Sequence, residues 1–305
     1  MQARPRHRNG KLHSPAHESA AGTGPYWPDW RAVSTSVIGS GHLGIHRECQ
    51  DAFRSNLALL TDPRVLSSDE PAGPFIASIA DGLGSAANSA LGATLAVTIA
   101  QAVAEEAFSA FPWDTAAPGD FTSTMSVALE GTLDQLRESV TAIIGATGGK
   151  WHGSSLSATL LVVVFRPPWL VTANVGDGFV VGQRVDGQLL MVAHPSVNTS
   201  DGSAVMPALH RAALARASVT SLYDPGLTGF AASTDGLKEV SLDWEGTLPV
   251  TPHHDFFAPL LDGIANGTLT SAQVTRFLHQ ERISGHAGDD LTLVAMARAA
   301  DEGPN

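Results

Sequence analysis

The stretch Phe-Ile-Ala-Ser-Ile-Ala-Asp-Gly, residues 75–82, joins an apolar run to an aspartate. An apolar run of this length, closed by an Asp-Gly turn signal, predicts a buried strand that ends at Asp81. The stretch Phe-Ala-Ala-Ser-Thr-Asp-Gly, residues 230–236, repeats the arrangement. When such strands end at the same edge of a fold, their aspartates converge. Asp81 and Asp235 are therefore candidate partners in one acidic site.

Two more aspartates, Asp51 and Asp289, stand at the edges of predicted strands. Four converging carboxylates repel one another unless divalent cations neutralise them. Oxygen ligands favour Mg²⁺ or Mn²⁺ over Zn²⁺, and the sequence contains no HExxH or CxxC motif. A third Asp-Gly pair, at Asp177, is typical of a structural turn.

The rest of the chain predicts strands and helices in blocks, an α+β pattern without regular βαβ alternation. Predicted strands cover residues 32–38, 51–60, 75–80, 156–165, 169–175, 179–184, 189–193, 229–233 and 291–297. Predicted helices cover residues 86–111, 121–144, 256–264 and 271–282. Residues 194–228 have weaker periodicity and predict a long loop, partly helical near 208–217.

Composition narrows the class of protein. The chain has 305 residues, 43% hydrophobic, with 18 Lys and Arg against 30 Asp and Glu, a formal net charge of −12. This composition is typical of a folded, globular chain. The excess of acidic residues argues against a surface that binds nucleic acid or an anionic membrane. The single cysteine, Cys49, excludes an internal disulfide and favours a reducing compartment, so we expect a cytoplasmic protein. We find no run of about 18 apolar residues and expect no membrane span.

The chain divides into a tail, a domain and a short end. Residues 1–28 carry Arg4, Arg6, Arg8 and Lys11 without a following apolar segment, which predicts a basic, disordered tail rather than a secretory signal. One catalytic-size domain is expected over residues 29–299, followed by a tail at 300–305.

Two other motifs are weak. Gly39-Ser40-Gly41-His42-Leu43-Gly44 matches the dinucleotide-binding pattern G-x-G-x-x-G, but the residues after it lack an apolar helix face. Four residues separate Cys49 from Arg54, whereas the Cys-x5-Arg phosphate loop of cysteine phosphatases needs five. A small buried thiol is therefore the simpler interpretation.

Taken in order, the motifs resemble those of the metal-dependent protein serine/threonine phosphatases, the PPM or type 2C family, in its bacterial form. The resemblance covers about residues 33 to 298. The matching segments are Gly41-His42 through Cys49-Gln50-Asp51-Ala52, Ile79 to Ser85, Gly153-Ser154-Ser155, Ala173 to Gly178, Ser233 to Leu237 and Gly288 to Thr292.

The resemblance implies a four-layer α-β-β-α sandwich of two antiparallel sheets flanked by helices, with two Mg²⁺ or Mn²⁺ ions at one end. It implies that Asp81 bridges the metals and that the Gly82 carbonyl binds one of them. Asp235 and Asp289 would hold the other. Asp51 would order a water molecule beside them, which makes Asp51, Asp81 and Asp235 the catalytic residues.

Several positions depart from the family pattern. His46 stands where animal members have a phosphate-contacting arginine, so His46, Arg47 and His42 are the candidate phosphate contacts. Leu83 replaces a proposed general-acid histidine. Lys150 replaces a third-metal aspartate, so a third metal bound in the usual way is not expected. Asp290 replaces the usual asparagine after Asp289.

The resemblance implies a monomeric phosphoprotein phosphatase that acts on phosphoserine and phosphothreonine beside a Ser/Thr kinase system. Two alternatives stay open. One is a degenerate phosphatase domain that binds phosphoproteins as a regulator. The other is a dinucleotide-binding oxidoreductase that uses residues 39–44.

Overall fold

The computed structural model describes residues 29–44, 47–57, 73–196, 216–245, 248–280, 283 and 288–300. Two five-stranded antiparallel sheets form its centre. The first sheet contains, in spatial order, β1 (Trp30–Val37), β12 (Leu291–Arg298), β9 (Leu227–Ser233), β6 (Phe179–Arg184) and β7 (Leu189–Ala193). The second contains β2 (Ala52–Ser55), β3 (Phe75–Ala80), β4 (Leu160–Arg166), β5 (Trp169–Val175) and β8 (Ser218–Tyr223).

Helices cover the outer face of each sheet. The second sheet is covered by α2 (Ser89–Ser109) and α3 (Pro118–Ala146). The first is covered by α5 (His254–Ala265) and α6 (Ser271–Leu278). Short elements complete the described chain: α1 (Ser40–Gly44), 3-10 turns at Gly153–Leu156 and Asp235–Leu237, α4 (Lys238–Ser241), and a hairpin of β10 (Leu242–Glu245) and β11 (Leu248–Pro252).

Three apolar layers hold the fold together. Between the sheets, Phe75, Phe165 and Phe230 are fully buried and their rings pack on one another. Strands β3, β4 and β5 are buried on both faces, which explains their nearly continuous apolar sequences. The four-layer α-β-β-α sandwich expected from the resemblance is confirmed.

Most predicted elements are present, with shifted ends. The strand predicted over 51–60 stops at Ser55 and that over 156–165 begins at Leu160. The helix predicted over 86–111 spans Ser89–Ser109, and that over 271–282 is helical over Ser271–Leu278.

The predicted loop over 194–228 is wrong at its end, because β8 occupies Ser218–Tyr223. This strand lies at a sheet edge and pairs only with β5 among the described strands. Because an edge strand is only partly buried, it can contain polar residues, and its alternation of apolar and polar residues is weak. The small hairpin β10–β11 was not predicted. Residues 197–215, with most of the segment predicted to be helical, and the tails at 1–28 and 301–305 lie outside the described residues.

By length and composition alone, α2 is apolar enough to cross a membrane, with a mean hydropathy of 1.2 in an 18-residue window. Such a helix is also typical of a protein core. Here Ala93, Val97, Ala100 and Phe108 are buried in the layer that α2 forms with α3 and the second sheet.

A close approach of backbones fixes where α2 sits. A Cβ on Gly92 would lie 2.1 Å from the Leu156 carbonyl oxygen, so only glycine fits there. Gly131, within α3, has room, since the nearest atom to its Cβ is a Val103 methyl carbon at 3.8 Å.

We therefore expect Gly92→Ala to lower the free energy of unfolding by about 1–3 kcal/mol, because the added methyl forces α2 from the backbone it touches. The matched variant Gly131→Ala should raise stability by about 0.5–1 kcal/mol, because alanine restricts the unfolded chain and favours a helix. Urea unfolding followed by circular dichroism measures both. Equal effects of the two variants would show that the contact at Leu156 does not position α2.

Candidate metal centre

Antiparallel pairing brings the four predicted aspartates to one end of the sandwich. In the second sheet, Ala52 pairs with Ala80, so Asp51 just before β2 lies beside Asp81 just after β3. In the first sheet, Leu293 pairs with Ser233, so Asp289 before β12 lies near Asp235 after β9. Each sheet therefore contributes one strand start and one strand end to the same edge.

Three of these aspartates form a tight group. Carboxylate oxygens of Asp81, Asp235 and Asp289 all lie within 4.8 Å of one another. Burial, together with the charges of Asp51 and Asp235, raises the pKa of Asp81 well above its usual value. Burial and the charge of Asp235 also raise the pKa of Asp289.

The group has the character of a hard-cation site. Asp235 Oδ1 is buried and has no hydrogen-bond partner among the described residues. An unpartnered buried carboxylate oxygen, facing two other carboxylates, is costly unless a cation binds it. Because every donor in the group is oxygen, these residues fit Mg²⁺ or Mn²⁺.

Asp51 lies beside this group and is held by a relay of hydrogen bonds. Thr234 Oγ1 donates to Asp51 Oδ2 at 2.8 Å, and the Thr292 amide donates to Thr234 Oγ1 at 3.2 Å. Burial, followed by the charges of Asp290 and Asp235, raises the pKa of Asp51 to about 8. The carboxyl of Asp51, which precedes a strand of the second sheet, is thus oriented by threonines of the first sheet.

Asp290 connects the segment that precedes Asp51 to the start of β12. Its buried carboxylate accepts hydrogen bonds from the Gly39 amide at 2.7 Å and the Gln50 amide at 2.6 Å. His42 Nδ1 lies 3.0 Å from Asp290 Oδ2, and His42 Nε2 lies 3.9 Å from Asp289 Oδ1. Both carboxylate oxygens of Asp290 therefore already have hydrogen-bond partners. Asp289 is the neighbouring carboxylate that lies beside Asp81 and Asp235.

The glycines of the G-x-G-x-x-G pattern serve this connection. A Cβ on Gly39 would lie 2.1 Å from the Asp289 carbonyl oxygen, and the Gly41 amide donates to the Gly288 carbonyl at 3.1 Å. Residues 40–44 of the pattern itself form α1, a helix of five residues, and the described residues 47–51 are not helical. The pattern therefore packs the chain against residues 288–290 and lacks the helix of a dinucleotide-binding unit.

Lys238 contacts both Asp235 and a further aspartate, Asp177. Lys238 Nζ is 2.7 Å from Asp177 Oδ2 and 3.3 Å from Asp235 Oδ2. Burial and the charge of Asp235 raise the pKa of Asp177 to about 6, although Lys238 opposes the shift. Burial disfavours the charged form of Lys238, but Asp177 and Asp235 outweigh it and raise its pKa. Lys238 therefore carries a full positive charge beside a candidate metal ligand.

The predicted phosphate contacts are only partly described. Arg47 is exposed, and its Nη1 donates to the Gly84 carbonyl at 2.9 Å. His42 faces Asp289 and Asp290, and His46 lies outside the described residues. The Gly82 amide donates to the Gln50 carbonyl at 3.1 Å, which places Gly82 beside the segment that ends at Asp51. The roles of these residues in binding phosphate or metal stay predictions.

Cys49 has the character of an inert thiol. Burial raises its pKa to about 11, and its Sγ lies 3.4 Å from Ser36 Oγ. A protonated thiol is a poor nucleophile, so the geometry agrees with a structural cysteine.

Sequence reasoning missed Lys238, Thr234 and the bonding of Asp290. The spacing of Asp235 and Lys238, three residues apart at the start of a helix, was an available signal because such residues are neighbours on a helix. The contacts of Thr234 and Asp290 join segments far apart in sequence and had no local signal.

Comparisons of the sequence with known proteins identify a family and a similar enzyme. The sequence model of the family described as Protein phosphatase 2C matches residues 38–279. Serine/threonine-protein phosphatase 3 of Escherichia coli (strain K12) is 26% identical over 273 residues, covering 87% of this chain and 96% of that protein.

Two solved structures share the fold. PppA, described as a key regulatory component of T6SS in Pseudomonas aeruginosa, superposes with a TM-score of 0.55 at 17% identity, covering 88% of this chain and 97% of that one. The Mycobacterium tuberculosis serine/threonine phosphatase PstP/Ppp superposes with a TM-score of 0.53 at 14% identity, covering 89% and 99%.

The raised acid pKa values predict how pH affects the metal-free protein. With the pKa of Asp51 at about 8 and that of Asp177 at about 6 in the folded state, against about 4 in an unfolded chain, the folded protein holds more protons between pH 4 and 8. Its stability should therefore fall as pH rises from 5 to 8. Thermal unfolding in the presence of a chelator measures this.

The variant Asp51→Asn should flatten this dependence, whereas Asp114→Asn, at an exposed position between α2 and α3, should leave it unchanged. Saturating Mg²⁺ should oppose the fall, because a bound cation favours ionised carboxylates. A chelated protein that becomes more stable towards pH 8 would contradict the assignment of buried, mutually repelling carboxylates.

Proposed function

This chain belongs to the protein phosphatase 2C family and is a protein serine/threonine phosphatase, and we propose that it hydrolyses phosphoserine and phosphothreonine with two divalent cations held at the carboxylate end of the sandwich. The family match over residues 38–279 supports the activity. The observation that carries the metal-dependent chemistry is the group formed by Asp81, Asp235 and Asp289, with oxygens within 4.8 Å of one another.

The charge of the site explains why cations are needed. A phosphate ester is an anion, and the end of the sandwich that would receive it holds at least Asp51, Asp81, Asp235 and Asp289. Without cations these carboxylates repel both one another and the substrate. Divalent cations, when bound, lower the pKa of water towards neutrality and offset the charge of the phosphoryl oxygens.

The residues of the chain supply the frame for this chemistry. Asp81 and Asp235 follow strands of different sheets, and Asp289 precedes a third strand, so the three ligands approach from separate directions on rigid elements. In the proposed arrangement the two cations would be held by Asp81, the Gly82 carbonyl, Asp235 and Asp289.

Asp51 is proposed to orient the attacking water. A hydrogen bond from Thr234 to Oδ2 holds its carboxyl in a defined direction, from which it would accept a hydrogen bond from water. That hydrogen bond aligns the water for in-line attack on phosphorus, opposite the serine or threonine oxygen that leaves. His42, His46 and Arg47 remain the proposed contacts of the phosphoryl group.

The proposed substrates are phosphoproteins produced by a Ser/Thr kinase system. The proposed location is the cytoplasm, which the single cysteine supports. Monomeric action is proposed because all of the proposed ligands come from one chain.

The activity is tested with Mn²⁺- or Mg²⁺-dependent hydrolysis of phosphoserine, phosphothreonine and phosphotyrosine peptides. We expect turnover of the first two, loss on chelation, and at least a hundredfold fall in kcat for Asp81→Ala and Asp235→Ala, because each removes a proposed ligand. Asp114→Asn is the matched control and should retain wild-type kcat.

Two results would overturn the proposal. Wild-type turnover by Asp235→Ala would remove this residue from the site. Metal binding by the wild-type protein with no hydrolysis of any phosphopeptide would favour a phosphoprotein-binding regulator instead.

A further inference from the structure

Lys238 occupies an unusual position for a cation. It begins α4, one helical turn after Asp235, and its side chain is only 16% exposed. Its ammonium contacts two carboxylates at once, Asp177 at 2.7 Å and Asp235 at 3.3 Å. A positive charge is thus built into the side of the proposed metal centre.

We propose that Lys238 is an internal counter-ion that competes with the metal for Asp235 and that Asp177 restrains this competition by holding the lysine. The proposal rests on the proposed function, since it concerns the affinity of the same metal centre. It makes Lys238 and Asp177 residues that tune a metal ligand without being ligands themselves.

The two oxygens of Asp235 have different surroundings. Oδ2 faces the Lys238 ammonium, whereas Oδ1 is buried and has no hydrogen-bond partner among the described residues. Oδ1 is therefore the atom left for a cation, on a carboxylate whose charge is already partly compensated. A carboxylate paired with an ammonium attracts a second cation less strongly, and the ammonium also repels that cation directly.

Lys238 also stabilises the metal-free state. Without a metal, the mutual repulsion of Asp81, Asp235 and Asp289 is relieved on one side by this ammonium. Whatever stabilises the metal-free form more than the metal-bound form lowers the apparent affinity for metal. Lys238 therefore lowers the apparent affinity for metal in two ways: its ammonium repels the cation, and it stabilises the carboxylates of the metal-free form.

Asp177 competes with Asp235 for the ammonium of Lys238. It is buried at the turn after β5 and makes the shorter of the two contacts with Lys238. Removing its charge leaves Asp235 as the main partner of the ammonium, which strengthens the competition. The variants Lys238→Met and Asp177→Asn should therefore change metal affinity in opposite directions.

A purely structural ion pair makes a different prediction. If Lys238 and Asp177 only support the local fold, breaking the pair from either side misplaces Asp235. Both variants would then weaken metal binding. The sign of the change for Lys238→Met separates the two roles.

The experiment is calorimetric titration of Mn²⁺ into the chelator-treated full-length protein. We expect Lys238→Met to bind Mn²⁺ about tenfold more tightly than wild type and Asp177→Asn about tenfold more weakly, the scale typical of residues that contact metal ligands. Lys238→Arg keeps the charge and should stay closer to wild type than Lys238→Met. Thermal unfolding of the chelated protein should show Lys238→Met to be less stable than wild type.

Two variants guard against ambiguous results. Arg184→Met removes a charge from the Arg184–Asp224 pair at the other end of β6 and should leave the Mn²⁺ affinity unchanged. The double variant Asp177→Asn/Lys238→Met leaves no unpaired buried charge at Asp177, so it folds even if Lys238→Met does not, and should also bind Mn²⁺ more tightly than wild type.

Unchanged or weaker binding by the double variant, or by folded Lys238→Met, overturns the role of Lys238 while the metal centre stands. Failure of the wild-type protein to bind Mn²⁺ or Mg²⁺ overturns the metal centre and this inference together.

Discussion

The main constraint on this structure is a group of carboxylates held close together at one end of an apolar sandwich. Carboxylate oxygens of Asp81, Asp235 and Asp289 lie within 4.8 Å of one another, and burial raises the pKa of Asp81 and Asp289. Such a group is unstable in isolation, because each carboxylate loses hydration and repels its neighbours. The apolar layers hold the strand ends in place, and the proposed cations would compensate the charge.

Compensation is arranged in two ways around this centre. On one side, Asp290 accepts hydrogen bonds from two backbone amides and lies 3.0 Å from His42 Nδ1, so it orders the chain before Asp51 without adding to the open site. On the other side, Lys238 lies between Asp177 and Asp235. Asp81, Asp235 and Asp289, by contrast, have carboxylate oxygens within 4.8 Å of one another and form the candidate metal group. The protein thereby separates carboxylates that shape the site from those left for a metal.

Much of the site was predictable from local sequence. Asp81 and Asp235 each follow an apolar strand, and Asp51 and Asp289 each precede the strand that pairs with it, so antiparallel pairing places them at common edges. The resemblance to the phosphatase family supplied the four-layer architecture, which no periodicity in the sequence specifies. The edge strand β8 escaped prediction because an edge position tolerates the polar, half-exposed residues that also typify loops.

The sequence by itself determined where β3 and β9 end, the aspartates that follow them or precede other strands, and the oxygen-only chemistry of the candidate ligands. Only the tertiary structure decided that Asp289 rather than Asp290 faces the other carboxylates, that Thr234 orients Asp51, and that Lys238 shares Asp235. These choices depend on which backbone amides and side chains from distant segments reach a given oxygen. Hydrogen bonding and charge pairing act over a few ångströms in space, and a one-dimensional pattern does not contain those distances.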